Sequence, residues 1–297
     1  MTSLLRLCVF VILALLAFAA NSVLCRLALN EGLIDPAQFT TWRLLSGAAT
    51  LVLLSAFQCL NNQRNDLKIA WLEGSWLSAF ALFIYALGFS YAYVTLSTGM
   101  GALILFGAVQ LTLILFAVRA RQKLVWLEWL GLAIAFVGFV YLVLPTLSSP
   151  SLLGFVLMTL AGVAWGLYTW RGKISAKPLF ATTSNFVRTI PMLLIALAVI
   201  HLNTEQSPIA QPVGIILAVT SGAIMSGLGY AIWYAVLPYL SASIAAVLQL
   251  LVPIIATIGG VFFANESITL HLVIATLSVL GGVLLVILAR KRTSKSA

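Results

Sequence analysis

Between Leu237 and Asn265 the chain passes more than 20 residues without a charged side chain. An α-helix of about 20 apolar residues is long enough to cross the ~30 Å hydrocarbon core of a bilayer. Runs of this kind recur along the whole sequence and predict ten spans, at 7–29, 36–59, 71–93, 97–118, 125–145, 151–170, 182–201, 212–235, 241–263 and 269–289. Only 60–70 and 202–211 leave room for connections of any length, so neighbouring helices run antiparallel. The composition agrees: 62% of residues are hydrophobic and 8% charged, where a soluble domain of this size carries about a quarter charged residues. The expected fold is an all-α polytopic membrane protein. In the ninth span Gln249 precedes Pro253. Both are tolerated at membrane depth where other helices or a water-filled cavity satisfy the groups they expose, so this helix is expected to face protein.

The same stretch has an earlier counterpart. An offset of 144 sets Tyr239-Leu240-Ser241 on Thr95-Leu96-Ser97, Ala246 on Ala102 and Gly282 on Gly138; near the front of each half an offset of 145 sets Arg171 on Arg26 and Arg188 on Arg43. In so weakly charged a chain, paired arginines are informative. The chain reads as a tandem duplication: residues 1–145 and 146–289 form two five-helix repeats, and 290–297 form a basic tail. Five is odd, so the second copy enters the membrane inverted. Inverted repeats are the common architecture of secondary transporters, with the substrate site near the midplane between them.

The formal charge of +9 does not point to nucleic acid. With the N-terminus inside, all but Arg26, Arg43 and Arg188 of the 16 Lys and Arg fall on the inner side, which predicts cytoplasmic termini and a place in the cell (inner) membrane. The first span, with Arg6, an apolar core and Ala17-Phe18-Ala19-Ala20, has the look of a signal peptide. Its match to 151–170 argues that it is retained. Cys8 and Cys25 lie on one helix, too far apart to bond, so Cys8, Cys25 and Cys59 imply no disulfide framework.

Several motifs resemble those of EamA-type permeases of the drug/metabolite transporter superfamily. In the second half these are Ala164-Trp165-Gly166, the pair Gln249 and Pro253, and Glu266; in the first half, Asn21 and the stretch from Leu33-Ile34-Asp35-Pro36 to Trp42-Arg43-Leu44. The first half departs from the pattern, with Ala20 for the Trp, Val109 for the proline and Gln122 for the glutamate. The resemblance covers nearly the whole chain. It implies two inverted bundles around a cavity lined mainly by the first, third and fourth helices of each repeat, moving small organic solutes, often outward.

Nine residues are expected to bind substrate: Asn21, Arg43, Tyr85, Phe89, Trp165, Tyr168, Tyr230, Trp233 and Gln249. Arg43 follows Pro36 by seven residues and so lies roughly 10 Å into the bilayer, where an arginine costs about 2.5–3.5 kcal/mol on insertion scales. It could hold a substrate carboxylate, but snorkelling to the outer rim suits its position better. Arg188 is read the same way; Arg26 and Arg171 sit nearer helix ends. Trp71, Trp76, Trp126, Trp129, Tyr91, Tyr93 and Trp170 fit an interfacial belt. Trp165 and Tyr85 lie too deep for that and suit an aromatic wall. Asn21 and Gln249 could orient a solute or tie two helices together. The pairs Ser97/Gly101, Ser241/Ala245 and Gly222/Ser226 suit close helix packing.

All seven acids fall near span ends, and neither His201 nor His271 is at mid-membrane. This points to uniport or exchange rather than proton antiport. No catalytic residue, metal site or cofactor is expected, and no nucleic-acid partner; the partners are a small-molecule solute and lipid, with homo-oligomerisation open. The leading function is a secondary transporter of a small organic metabolite, an amino acid or related amphipathic compound, with export favoured. Alternatives are an intramembrane enzyme or flippase acting on lipid or lipid-linked sugar, for which HExxH, GxSxG and paired acids are missing, and a non-transporting scaffold.

Overall fold

The computed structural model describes residues 3–61, 73–119, 125–143, 151–172, 175, 177–203, 210–240, 245 and 248–293. Outside them lie Arg64, Asp66, Lys68, Trp71, Arg121, Gln122, Lys123, Lys173, Glu205, Ser241 and Lys295, so the charge count behind the predicted orientation, the Ser241/Ala245 pair and the end of the basic tail fall partly beyond the described residues.

Among the described residues ten main helices follow one another: α1 (Ser3–Asn30), α2 (Pro36–Asn61), α3 (Trp76–Ala92), α4 (Thr98–Arg119), α5 (Trp126–Val143), α6 (Ser151–Gly172), α7 (Pro178–Asn203), α8 (Pro212–Val236), α9 (Leu251–Ala264) and α10 (Leu270–Thr293). Seven of them are long and apolar enough to span a bilayer; α3, α5 and α9 are shorter apolar helices. The predicted start of the ninth span at 241 falls mostly outside the described residues, and α9 itself begins at Leu251.

The boundaries follow local chemistry. Pro36 sits at the first position of α2, where a missing N–H costs nothing, and Asp35 Oδ1 accepts from Ala37 N (2.8 Å) and Gln38 N (3.0 Å). Ser75 caps α3 by accepting from Ser78 N at 3.1 Å. Glu128 reaches back to Val125 N at 2.8 Å, the reciprocal half of a capping box at α5. Asn265 ends α9 in the left-handed conformation, φ 51°, a place where asparagine is tolerated.

The packing carries a two-fold pattern. α5 packs on α10, α4 on α9 and α2 on α7, each with its own counterpart five helices later. The remaining main pairings come in exchanged sets: α1 with α8 as α6 with α3, α1 with α9 as α6 with α4, and α2 with α8 as α7 with α3. Ten successive crossings make counterparts five apart point oppositely, which puts the pseudo-axis of such repeats in the membrane plane. These are the two inverted five-helix repeats expected from the sequence. Close approach at the crossings depends on glycine. A Cβ on Gly131 would meet Gly282 O at 2.6 Å, fixing α5 against α10. Gly222 lets α8 lie directly on the α2 backbone at Arg43.

Candidate functional site

Where the two repeats meet, α1, α3, α4, α6 and α8 enclose a central cavity of about 10 Å³, lined by Phe18, Asn21, Tyr85, Phe89, Leu105, Phe106, Trp165 and Tyr230. That volume holds about one water molecule. The rings themselves fill the centre. Trp165 lies between Tyr85 (centroids 4.8 Å apart) and Tyr230 (5.0 Å) and stacks on Tyr168 at 5.3 Å. Phe18 meets Tyr230 and Trp233 edge-on, each at 5.8 Å. Tyr85 and Tyr230 are repeat mates at the offset of 145, so Trp165 is gripped by one symmetry-related pair. Its own counterpart is Ala20, and Asn21 stands where Gly166 does in the second copy.

Polar groups form a chain beside the rings. Asn21 Oδ1 accepts from Ser221 Oγ (2.7 Å) and Ser226 Oγ (3.3 Å), Arg43 Nε donates to Ser226 Oγ (3.4 Å), and Arg43 Nη2 donates to Tyr85 Oη (2.7 Å). These contacts tie α1, α2 and α3 of one repeat to α8 of the other. Two serines five residues apart share one acceptor because residues Ser221–Leu228 of α8 are π-helical. In an α-helix that spacing points the two side chains well apart; the wider π turn brings them to one face.

The predicted snorkelling of Arg43 is corrected here. Arg43 is 2% exposed, and its guanidinium lies over the rings of Phe89 (4.6 Å) and Tyr85 (5.1 Å). The helix rotation that turns Arg43 inward is set by the α2–α8 crossing at Gly222, a tertiary contact. Its mate Arg188 is half-buried and stands 5.7 Å from the Trp76 ring instead. Tyr93 is a second correction. It is fully buried, packs on Phe89 at 4.8 Å and donates from its hydroxyl to Thr98 O at 3.3 Å, so it is no belt residue. Trp76, Trp126 and Trp129 are well exposed, as a belt requires.

Of the nine expected residues, Asn21, Tyr85, Phe89, Trp165 and Tyr230 line the cavity; Arg43, Tyr168 and Trp233 pack behind them. Gln249 is buried, but its Nε2 donates to Ala245 O one turn back at 3.4 Å and does not line the cavity. Phe18, Leu105, Phe106 and Ser221 were not expected at the site from sequence, and Ser226 was read only as a packing residue beside Gly222. Phe18 could have been found three residues before Asn21, on the same helix face; the serines could not, because a helical period misplaces them. Among the described residues no group of His, Cys, Asp or Glu is placed to hold a metal ion.

The two ends of the molecule differ. On the side of the N-terminus, one vestibule of about 710 Å³ opens between Leu4–Phe10 and Ala235–Tyr239, and another of about 440 Å³ between Glu73, Arg171 and Asn185. In the second, Arg171 Nε donates to Ser78 Oγ at 3.1 Å. On the opposite side, contacts among the described residues join the helix ends. Gln211 N donates to Leu33 O at 2.8 Å. Arg26 Nε pairs with Glu266 Oε1 at 3.3 Å and its Nη1 donates to Tyr93 O at 2.9 Å, while the Glu266 carboxylate accepts Thr98 N at 2.9 Å.

Comparison with known proteins agrees with this architecture. The profile of the EamA-like transporter family matches residues 5–144 and again 152–288. The chain is 43% identical over 279 residues to an uncharacterized protein of Pseudomonas aeruginosa, covering 94% of this chain and 93% of that one. It is 28% identical over 221 residues to an uncharacterized transporter of Archaeoglobus fulgidus, covering 73% of this chain and 76% of the relative. A protein crystal structure shares the fold at a TM-score of 0.59 and 17% identity, covering 94% of this chain and 98% of the other.

Proposed function

This chain belongs to the EamA-like transporter family, and from that premise we propose that it is a secondary transporter working by alternating access. Its repeats, 1–145 and 146–289, would rock against each other, exposing the central site to one side and then the other. The cargo is a small amphipathic organic metabolite such as an amino acid or related compound, and no covalent chemistry is done on it. One observation carries the reading: both repeats contribute to a single buried site of stacked rings beside a polar chain, the composition of a solute pocket. Asn21, Arg43, Tyr85, Phe89, Trp165, Tyr168, Tyr230 and Trp233 form it, with Gln249 just ahead of α9. The present conformation has a filled centre and vestibules on the N-terminal side, as expected of a substrate-free carrier sealed at its far end.

The protein is placed in the cell (inner) membrane with both termini cytoplasmic, so the sealed end faces outward; a C-terminal reporter active only outside the cell would overturn that orientation. The family's bias toward outward movement makes export the direction to test first. For the function itself, thermal shift of the purified chain against amino acids, nucleosides, sugars and cationic drugs selects ligands, since binding to the folded state raises apparent stability. Each labelled ligand is then followed into proteoliposomes. Flux above that of empty liposomes, lost in Trp165→Ala with insertion intact, is the expected result. A ligand that binds at Trp165 and never crosses would refute transport and favour a scaffold or sensor.

A further inference from the structure

We infer that the solute carries a single carboxylate, and that Arg43 is the group that binds it. The inference rests on the transporter reading above and narrows the substrate class of that same site to carboxylates without an ammonium group, which sets free amino acids aside. Arg43 brings a full positive charge to a position that is 2% exposed, and no carboxylate among the described residues stands within ion-pair distance of it. What surrounds it is neutral: Tyr85, Phe89 and Ser226. One guanidinium nitrogen, Nη1, is buried with no hydrogen-bond partner at all. A buried charge normally comes with an opposite charge and with its N–H groups satisfied. Here both are lacking, at the place where the fold has gathered its aromatic rings.

An incoming carboxylate supplies both. It accepts from the free Nη1, and a guanidinium fork suits the two oxygens of that group. The count of charges selects a monoanion: one arginine and one carboxylate leave the loaded site neutral, whereas a phosphate dianion would leave a net negative charge in the same apolar surroundings. The rest of the solute must then be apolar, because the walls offered to it are Phe18, Phe106, Trp165, Tyr230 and Leu105. Asn21 supplies the one amide among the lining side chains.

The test uses matched probes on the purified full chain: 3-phenylpropionate and hexanoate, their amides, and 3-phenylpropylamine. Expected is a rise in melting temperature with either carboxylate and little with amide or amine. Arg43→Gln should weaken half-saturation by the carboxylates at least tenfold, while Arg43→Lys keeps part of the preference. Amides that shift the wild-type protein as strongly as the acids would overturn the inference, as would no shift from either carboxylate, or an Arg43→Gln protein that still prefers them. The wild-type comparison of acid with amide needs no variant, so it decides even if Arg43→Gln fails to fold. Flux separates this inference from the one beneath it. An amide or amine carried across in a Trp165-dependent way leaves the transporter reading standing while the anion falls; a carboxylate bound through Arg43 but never carried does the reverse.

Discussion

Tyr85 does two jobs at once: its ring packs on Trp165, and its hydroxyl takes a hydrogen bond from Arg43 Nη2. Tyr85→Phe separates them. The ring stays and a buried guanidinium N–H loses its acceptor, a loss of about 1.5–3 kcal/mol for a hydrogen bond to a charged group. The melting temperature of the ligand-free protein should fall by several degrees; an unchanged value would mean that water replaces the hydroxyl. Asn21 was legible from sequence as an amide in the middle of an apolar span that would either orient a solute or join two helices, but its partners were not. It gathers two serine hydroxyls from the other repeat. Asn21→Ala should therefore weaken the α1–α8 contact by about 0.6–2 kcal/mol, read as a lower melting temperature with membrane insertion unaffected.

α8 is the element on which the site depends most. Its central eight residues are π-helical, which places Ser221 and Ser226 together and sets the rotation of Tyr230 and Trp233 one to two turns later. Deleting Met225 should let the segment relax to an ordinary α-helix, since a π turn amounts to one extra residue in the ladder. Tyr230 and Trp233 would keep their direction, and Ser221 and Ser226, then four residues apart, would still share one face. The expected outcome is normal insertion with transport retained. Transport at background would mean that the π turn itself, and not only the alignment it gives, is needed. No periodicity in Ser221–Leu228 announces this turn, because the sequence there is small and apolar on every side.

For the whole molecule, the two ends are related by the pseudo-axis but are not chemically alike. Glu266 closes the far end by holding Arg26 and the start of α4; its repeat mate at position 122 is Gln. In the proposed alternating cycle, this charge-assisted clamp biases the carrier toward the form sealed there. Glu266→Gln should cost that form about 1.4 kcal/mol or more, enough to raise the far-side-open population roughly tenfold. A cysteine at Ser22, in a background without Cys8, Cys25 and Cys59, reports this as roughly tenfold faster labelling by an impermeant thiol reagent; equal rates would mean that the ion pair does not gate. Arg43 adds a second global consequence. On the proposed mechanism an empty carrier would turn over with a bare buried cation and a loaded one with a neutral pair, so reorientation would be easier when loaded. Uptake of a labelled carboxylate should then run at least several-fold faster into proteoliposomes preloaded with the unlabelled compound, and preloading without effect would argue against the charge pairing.

Sequence alone determined that the chain crosses a membrane about ten times, that it repeats, and that the copies are inverted. Each follows from counting: bilayer thickness fixes span length, and an odd number of antiparallel helices forces inversion. The deep aromatics Trp165 and Tyr85 were also within reach, because the interfacial belt has a definite depth and they lie past it. What only the tertiary structure decided is which way a side chain turns about its helix axis. Arg43 and Tyr93 read as residues of the rim from their depth, and both turn inward, one because Gly222 seats α8 against α2, the other because Phe89 and the start of α4 enclose it. Nearly every face of these helices is apolar, so no amphipathic stripe records the rotation; it is set where helices from different repeats touch.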